Sequence, residues 1–128
     1  MFTAPAARGS RRGVLFLLWV LVVGALSLSP LAIKQRLHTV GHLHYGGHFL
    51  VFALTATAVL WNTPSLRSQI LRSGMVILLG VTLEAAEVVV YHSRLEKRDL
   101  LVDAAGAAAG FVAIRAVSRF RLRTRVSV

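Results

Sequence analysis

Glu84 and Glu87 lie inside the apolar stretch 74–91, and Asp99 and Asp103 stand at the head of the apolar stretch 100–117. A charged side chain near the middle of a lipid-spanning helix costs roughly 2.5–3.5 kcal/mol on insertion scales, so an acid in such a setting is by default a functional group with a partner. His48 and Arg94 are the basic residues that suggest themselves. Glu84 and Glu87, three residues apart, either share one proton or pair with His48, because two close carboxylates cannot both ionise cheaply. Such a pair suits general acid–base work. The same groups can instead line a ligand pocket, or simply hold helices together through hydrogen bonds. A proton or ion path has the least support, since the far half of the apolar stretches offers only Thr55, Thr57 and Thr82 as polar relay.

The histidines raise the question of a metal. His38, His42, His44 and His48 fall close together, and with Glu84 or Glu87 they supply nitrogen and oxygen donors of the kind divalent ions take. A zinc site on one helix needs an i,i+4 pair such as His38/His42 or His44/His48. Gly41 and the pair Gly46-Gly47 interrupt those two intervals, so the segment is expected to be a partly solvated interfacial loop. No metal and no cofactor is assigned.

The elements that must carry these groups are helices in a membrane. Apolar residues make up 55% of the 128-residue chain and charged residues only 16%, too apolar a balance for an ordinary soluble domain and far too apolar for a disordered one. Residues 13–33 are uncharged for 21 positions and 49–66 for 18, enough to cross about 30 Å of hydrocarbon. Residues 73–83 and 104–114 are uncharged for only 11 each, and reach spanning length only if the acids are admitted near one end. Four spans are therefore expected, at about 14–33, 48–64, 73–91 and 100–117. The expected fold is an all-α four-helix membrane bundle, with a basic tail at 1–12, a membrane domain at 13–117 and a second basic tail at 118–128.

Basic residues orient it. With the N-terminus in the cytoplasm, that side collects ten of the 15 lysines and arginines, including Arg8, Arg11, Arg12, Arg67 and Arg72, against Lys34, Arg36, Arg94, Lys97 and Arg98 outside. Both termini are thus expected in the cytoplasm. The net charge of +10 is attributed to juxtamembrane arginines meeting anionic lipids, so the expected partners are membrane lipids and not nucleic acid. The first apolar run exceeds the 7–15 residues of a usual signal core and lacks a persuasive cleavage site, so it is taken as a retained span. The chain has no cysteine, which removes thiolate chemistry and leaves the redox compartment unmarked. Phosphate-binding glycine loops, Gly-x-Ser-x-Gly and His-Glu-x-x-His are absent from the sequence. Trp19 and Trp61 are expected to pack or face lipid, and Asn62-Thr63-Pro64-Ser65 to turn the chain after the second span.

Helical geometry gathers the polar groups. At 100° per residue Gly80, Glu84, Glu87 and Tyr91 form one stripe, and Asp99, Asp103, Gly106 and Gly110 another. Gly106 and Gly110 make a small-xxx-small pattern that permits close backbone approach. The short link 93–98 makes the third and fourth spans antiparallel neighbours. Glu84 then sits about 10 Å below Tyr91, and Asp103 about 6 Å below Asp99. One outward-facing pocket built from His48, Glu84, Glu87, Arg94, Asp99 and Asp103 is the simplest arrangement that satisfies them all.

His48-Phe49-x-x-Phe52-x-Leu54, Glu84-x-x-Glu87, Arg94, and Asp99-x-x-x-Asp103-x-x-Gly106-x-x-x-Gly110 together resemble the VanZ-like family of small bacterial membrane proteins. The resemblance covers roughly residues 44–110. The chain departs from the usual pattern in carrying His44-Tyr45 where Asp-Lys is usual before the histidine, Phe52 where tyrosine is usual, and Glu87 where glutamine is usual. The resemblance implies an integral protein of the bacterial cytoplasmic membrane, and a role in the cell envelope linked to susceptibility to teicoplanin, a lipoglycopeptide that acts at the outer face. No agreed enzymatic activity travels with the family. The expectation is a non-enzymatic envelope protein that binds a lipid-linked or lipopeptide ligand. The alternatives are a membrane hydrolase or transferase acting on a lipid head group, and a structural cluster without a ligand.

Overall fold

A computed structural model of the chain describes residues 8–36 and 42–126, and every regular element among them is helical. The helices are α1 (Arg8–Ser27), α2 (Leu31–Arg36), α3 (His42–Leu60), α4 (Leu66–Tyr91) and α5 (Lys97–Val126). Within α3, α4 and α5, the segments Leu43–Leu60, Leu66–Tyr91 and Lys97–Arg119 are each long and apolar enough to cross a membrane.

The first expected span is not one helix. α1 stops at Ser27 and its apolar part is Gly13–Ser27. Pro30 disfavours helical dihedrals in the residue before it, so Ser29 leaves the helix. Its hydroxyl bonds back to the Ala25 carbonyl at 2.7 Å, and α2 then starts as a separate turn. The remaining boundaries also move. α3 begins at His42 rather than near 48, and α4 begins at Leu66, which brings Arg67 and Arg72 into the helix. α5 continues to Val126, so most of the segment expected as a basic tail is helical backbone.

Local chemistry explains the ends. Ser65, extended at φ −91° and ψ 138°, caps α4 by accepting from the Ser68 N–H at 3.1 Å. His92 ends α4 in the left-handed region at φ 51°, where a helix commonly takes its last bond before the chain turns. The last carbonyls of α3, which have no intrahelical donor, are met from α4. Arg72 donates to the Val59 carbonyl at 3.2 Å and to Thr63 Oγ1 at 3.0 Å, and Gln69 donates to the Thr63 carbonyl at 2.7 Å.

The tightest pair is α3 with α5, which run parallel with α4 returning between them in sequence. Where α5 meets α3 it presents Gly106 and Gly110. A Cβ at Gly110 would lie 2.5 Å from the Ala53 carbonyl oxygen, and one at Gly106 would strike the Phe49 carbonyl oxygen. The fourth expected span therefore approaches the second more closely than the third, its neighbour along the chain. Inside the bundle the buried apolar residues are few and mostly small or medium: Phe52, Ala56, Val76 and Ala107 form the central cluster. Outside, Leu43, Leu50, Leu71, Met75, Leu78, Leu101 and Val112 are all more than half exposed. An apolar surface of that extent is far beyond the patches that soluble monomers leave open.

Candidate functional site

At the end where α3 and α5 begin, the two parallel helices carry matched polar residues. His44 Nε2 lies 3.0 Å from Asp99 Oδ2, and one helical turn deeper His48 Nδ1 lies 2.8 Å from Asp103 Oδ1. Both pairs have the same sequence separation of 55, the signature of two helices running side by side in register. This stacking exists because α3 is already helical at His42. It runs without a break through Gly46 and Gly47, where a side chain would meet nothing within 4 Å. The glycines expected to interrupt the His44/His48 interval do not, and the two rings sit edge to face with centroids 4.5 Å apart.

The acids are buried and the histidines mostly covered. Asp99 and Asp103 are 3% and 4% exposed, against about a fifth for the two imidazoles. Asp103 reaches inward because Gly80 of α4 leaves room: a Cβ there would stand 2.7 Å from Asp103 Oδ2. Asp99 Oδ1 is buried and meets no hydrogen-bond donor among the described residues.

Glu84 belongs to the same end but has a different partner. Its Oε1 accepts the Glu96 backbone N–H at 2.6 Å. Glu96 in turn opens α5, its carbonyl accepting from the Asp99 N–H at 3.0 Å. A carboxylate placed there satisfies a backbone donor and sits favourably against the positive end of the helix dipole. Glu87 is half-buried, does not line the cavity beside the histidines, and Arg94 is exposed in the link. The six residues expected to share one pocket thus divide. His48, Glu84 and Asp103 line the cavity, Asp99 joins through His44, and Glu87 and Arg94 stand outside the lining. His38 lies outside the described residues, as does the side chain of His42.

The cavity has a volume of about 210 Å³. Its polar lining includes His44, His48, Glu84 and Asp103. Its apolar lining includes Val22, Val23 and Leu26 from α1 with Val51, Phe52 and Leu83 from α3 and α4. Trp19, expected only to pack or face lipid, donates from Nε1 to Thr55 Oγ1 at 2.7 Å and lines the cavity, fixing α1 against α3. The Tyr91 hydroxyl bonds the Leu28 carbonyl and ties α4 to the chain beyond α1. Sequence reasoning missed His44 as a cavity residue. Its signal was the repeated interval of four, His44/His48 against Asp99/Asp103, which two parallel helices turn into two rungs.

Comparison with protein-family models, with curated proteins and with solved structures gives no match to this chain.

Proposed function

We propose that the chain is a VanZ-like, four-pass protein of the bacterial cytoplasmic membrane, with both termini in the cytoplasm. Its histidine–aspartate pocket opens to the outer face and holds the polar head of a lipid-linked or lipopeptide ligand. The observation that carries this reading is the mixed lining of the cavity, which combines His44, His48, Glu84 and Asp103 with valine, leucine and phenylalanine side chains. A solute with a polar head and an apolar tail matches such a lining. Size narrows the ligand: about 210 Å³ is below the roughly 300–1,000 Å³ of pockets that enclose drug-sized molecules. A head group or the end of an acyl chain fits, and a whole lipoglycopeptide does not. The resemblance of the motif set to VanZ-like proteins supports the family and the envelope role. In this reading α1, with the apolar residues that follow it, completes the first crossing.

A second reading has its own observation. Asp103 against His48 Nδ1 is the arrangement by which a carboxylate fixes an imidazole for use as a general base, so hydrolysis or transfer at a lipid head group is the rival. Lipid analysis of a deletion strain, alongside its teicoplanin susceptibility, separates the two. Altered susceptibility with an unchanged lipid profile is the expected result. An accumulating lipid intermediate would establish the enzyme instead, and no change in either measurement would leave the cluster a structural one.

A further inference from the structure

A buried carboxylate with an oxygen that no donor meets wants a cation, and Asp99 is one: its Oδ1 has no donor among the described residues, and its Oδ2 lies 3.0 Å from His44 Nε2. One ring nitrogen from each of His44 and His48 and one oxygen of Asp99 all lie within 4.8 Å of one another. We propose that His44, His48 and Asp99 form a binding site for a divalent transition-metal ion of the zinc type, with Asp103 fixing the His48 ring.

The donor set selects the ion. Two imidazoles and a carboxylate suit zinc and its first-row neighbours, whereas magnesium and calcium take oxygen ligands. The spacing is compatible. Zinc bonds to nitrogen and oxygen of about 2.0–2.2 Å put tetrahedral neighbours roughly 3.3 Å apart. His44 Nε2 and Asp99 Oδ2 already stand at 3.0 Å. The widest separation has to close by roughly 1.5 Å, within reach of side-chain torsions in two partly exposed rings. That exposure, 22% and 20% for the two side chains, is also the ion's way in. Asp103, 2.8 Å from His48 Nδ1, stands where metal-binding histidines usually have an orienting carboxylate. The backbone supplies the rest: His44 and His48 are one turn apart on a continuous helix, so both face the same side. Three protein ligands leave a coordination position for an oxygen of a bound head group, the pattern of open zinc sites.

The site shares the pocket of the proposed function but does not depend on its ligand, so ion uptake is measured without lipid. The full chain, purified in detergent and stripped by chelator, is dialysed against Zn²⁺ and the bound metal counted. The expected result is one equivalent, weakened about tenfold or more in H44Q and in D99N and unchanged in H92Q. Binding should also fall as pH is lowered, because a protonated imidazole cannot ligate. On the wild-type chain, Zn²⁺ but not Mg²⁺ should shield His44 and His48 from diethyl pyrocarbonate while His92 reacts as before, a readout that stands even if a variant fails to fold. Uptake below about a tenth of an equivalent, or unshielded His44 and His48, overturns the site and reduces the cluster to two hydrogen-bonded pairs. Either failure leaves the lipid-binding reading to its own test.

Discussion

Buried acids in apolar helices need donors, and the acids of this chain find them in two ways. Glu84 takes a backbone N–H, that of Glu96, and so joins the last third of α4 to the start of α5. Replacing it with leucine leaves that N–H without its acceptor. The cost should be about 1 kcal/mol, at the low end of the range for a lost partner because the link is open to solvent. Glu84→Gln keeps an acceptor oxygen and should cost less. Thermal unfolding in detergent checks the order of the two midpoints, and a leucine variant as stable as the wild type would remove the capping role. Asp99 and Asp103 use imidazoles instead, and their burial is tighter than that of the histidines they hold. His48 was legible in the sequence as a partner for acids, but its particular partner was not. Among the four carboxylates toward the same end, only the register of α3 on α5 selects Asp103.

At the scale of elements the decisive contact is the seam between α3 and α5. Gly106 and Gly110 lie one turn apart, as do the Phe49 and Ala53 carbonyls they meet, so each glycine admits one turn of the partner backbone. Gly106→Ala and Gly110→Ala should each destabilise the chain by about 1–3 kcal/mol, since the new methyl must push helices apart rather than displace a flexible side chain. Gly74→Ala is the control: a Cβ there meets nothing within 4 Å, and alanine in a helix interior is favoured over glycine by roughly 0.5–1 kcal/mol. Unfolding midpoints should fall for the first two and hold or rise for the third. The small-xxx-small spacing was visible in the sequence. Its partner was not, because a short link suggests the sequence neighbour α4, while tight packing goes to the helix that lines up in parallel.

Across the whole molecule, most large apolar side chains among the described residues face outward, while Ala56, Ala107 and the glycines of α5 let the helices approach closely around Phe52 and Leu60, an arrangement that suits apolar surroundings. Thr55, Thr57 and Thr82 each bond the carbonyl four residues back, while the buried Ser73 hydroxyl meets no partner among the described residues. The proposed orientation is testable through single cysteines, which are clean reporters in a chain that has none of its own. Leu95→Cys, in the exposed link before α5, should react with an impermeant thiol reagent on intact cells. Asn62→Cys, in the turn after α3, should react only after permeabilisation. The reverse pattern would turn the molecule over and place the pocket in the cytoplasm.

Composition and the spacing of charges pointed by themselves to a helical chain with acids near one end and four stretches of spanning length, of which three stand as helices long and apolar enough to cross a membrane, because period and length are properties of the string. They did not determine where helices begin. Glycines at Gly46 and Gly47 looked like a break, yet α3 runs through them, and the uncharged run 13–33 looked continuous, yet it breaks ahead of Pro30. Nor did they pair the side chains. Which imidazole meets which carboxylate depends on the axial register of α3 against α5, and that register is set by backbone contact at Gly106 and Gly110, a condition that exists only once the two helices are packed together.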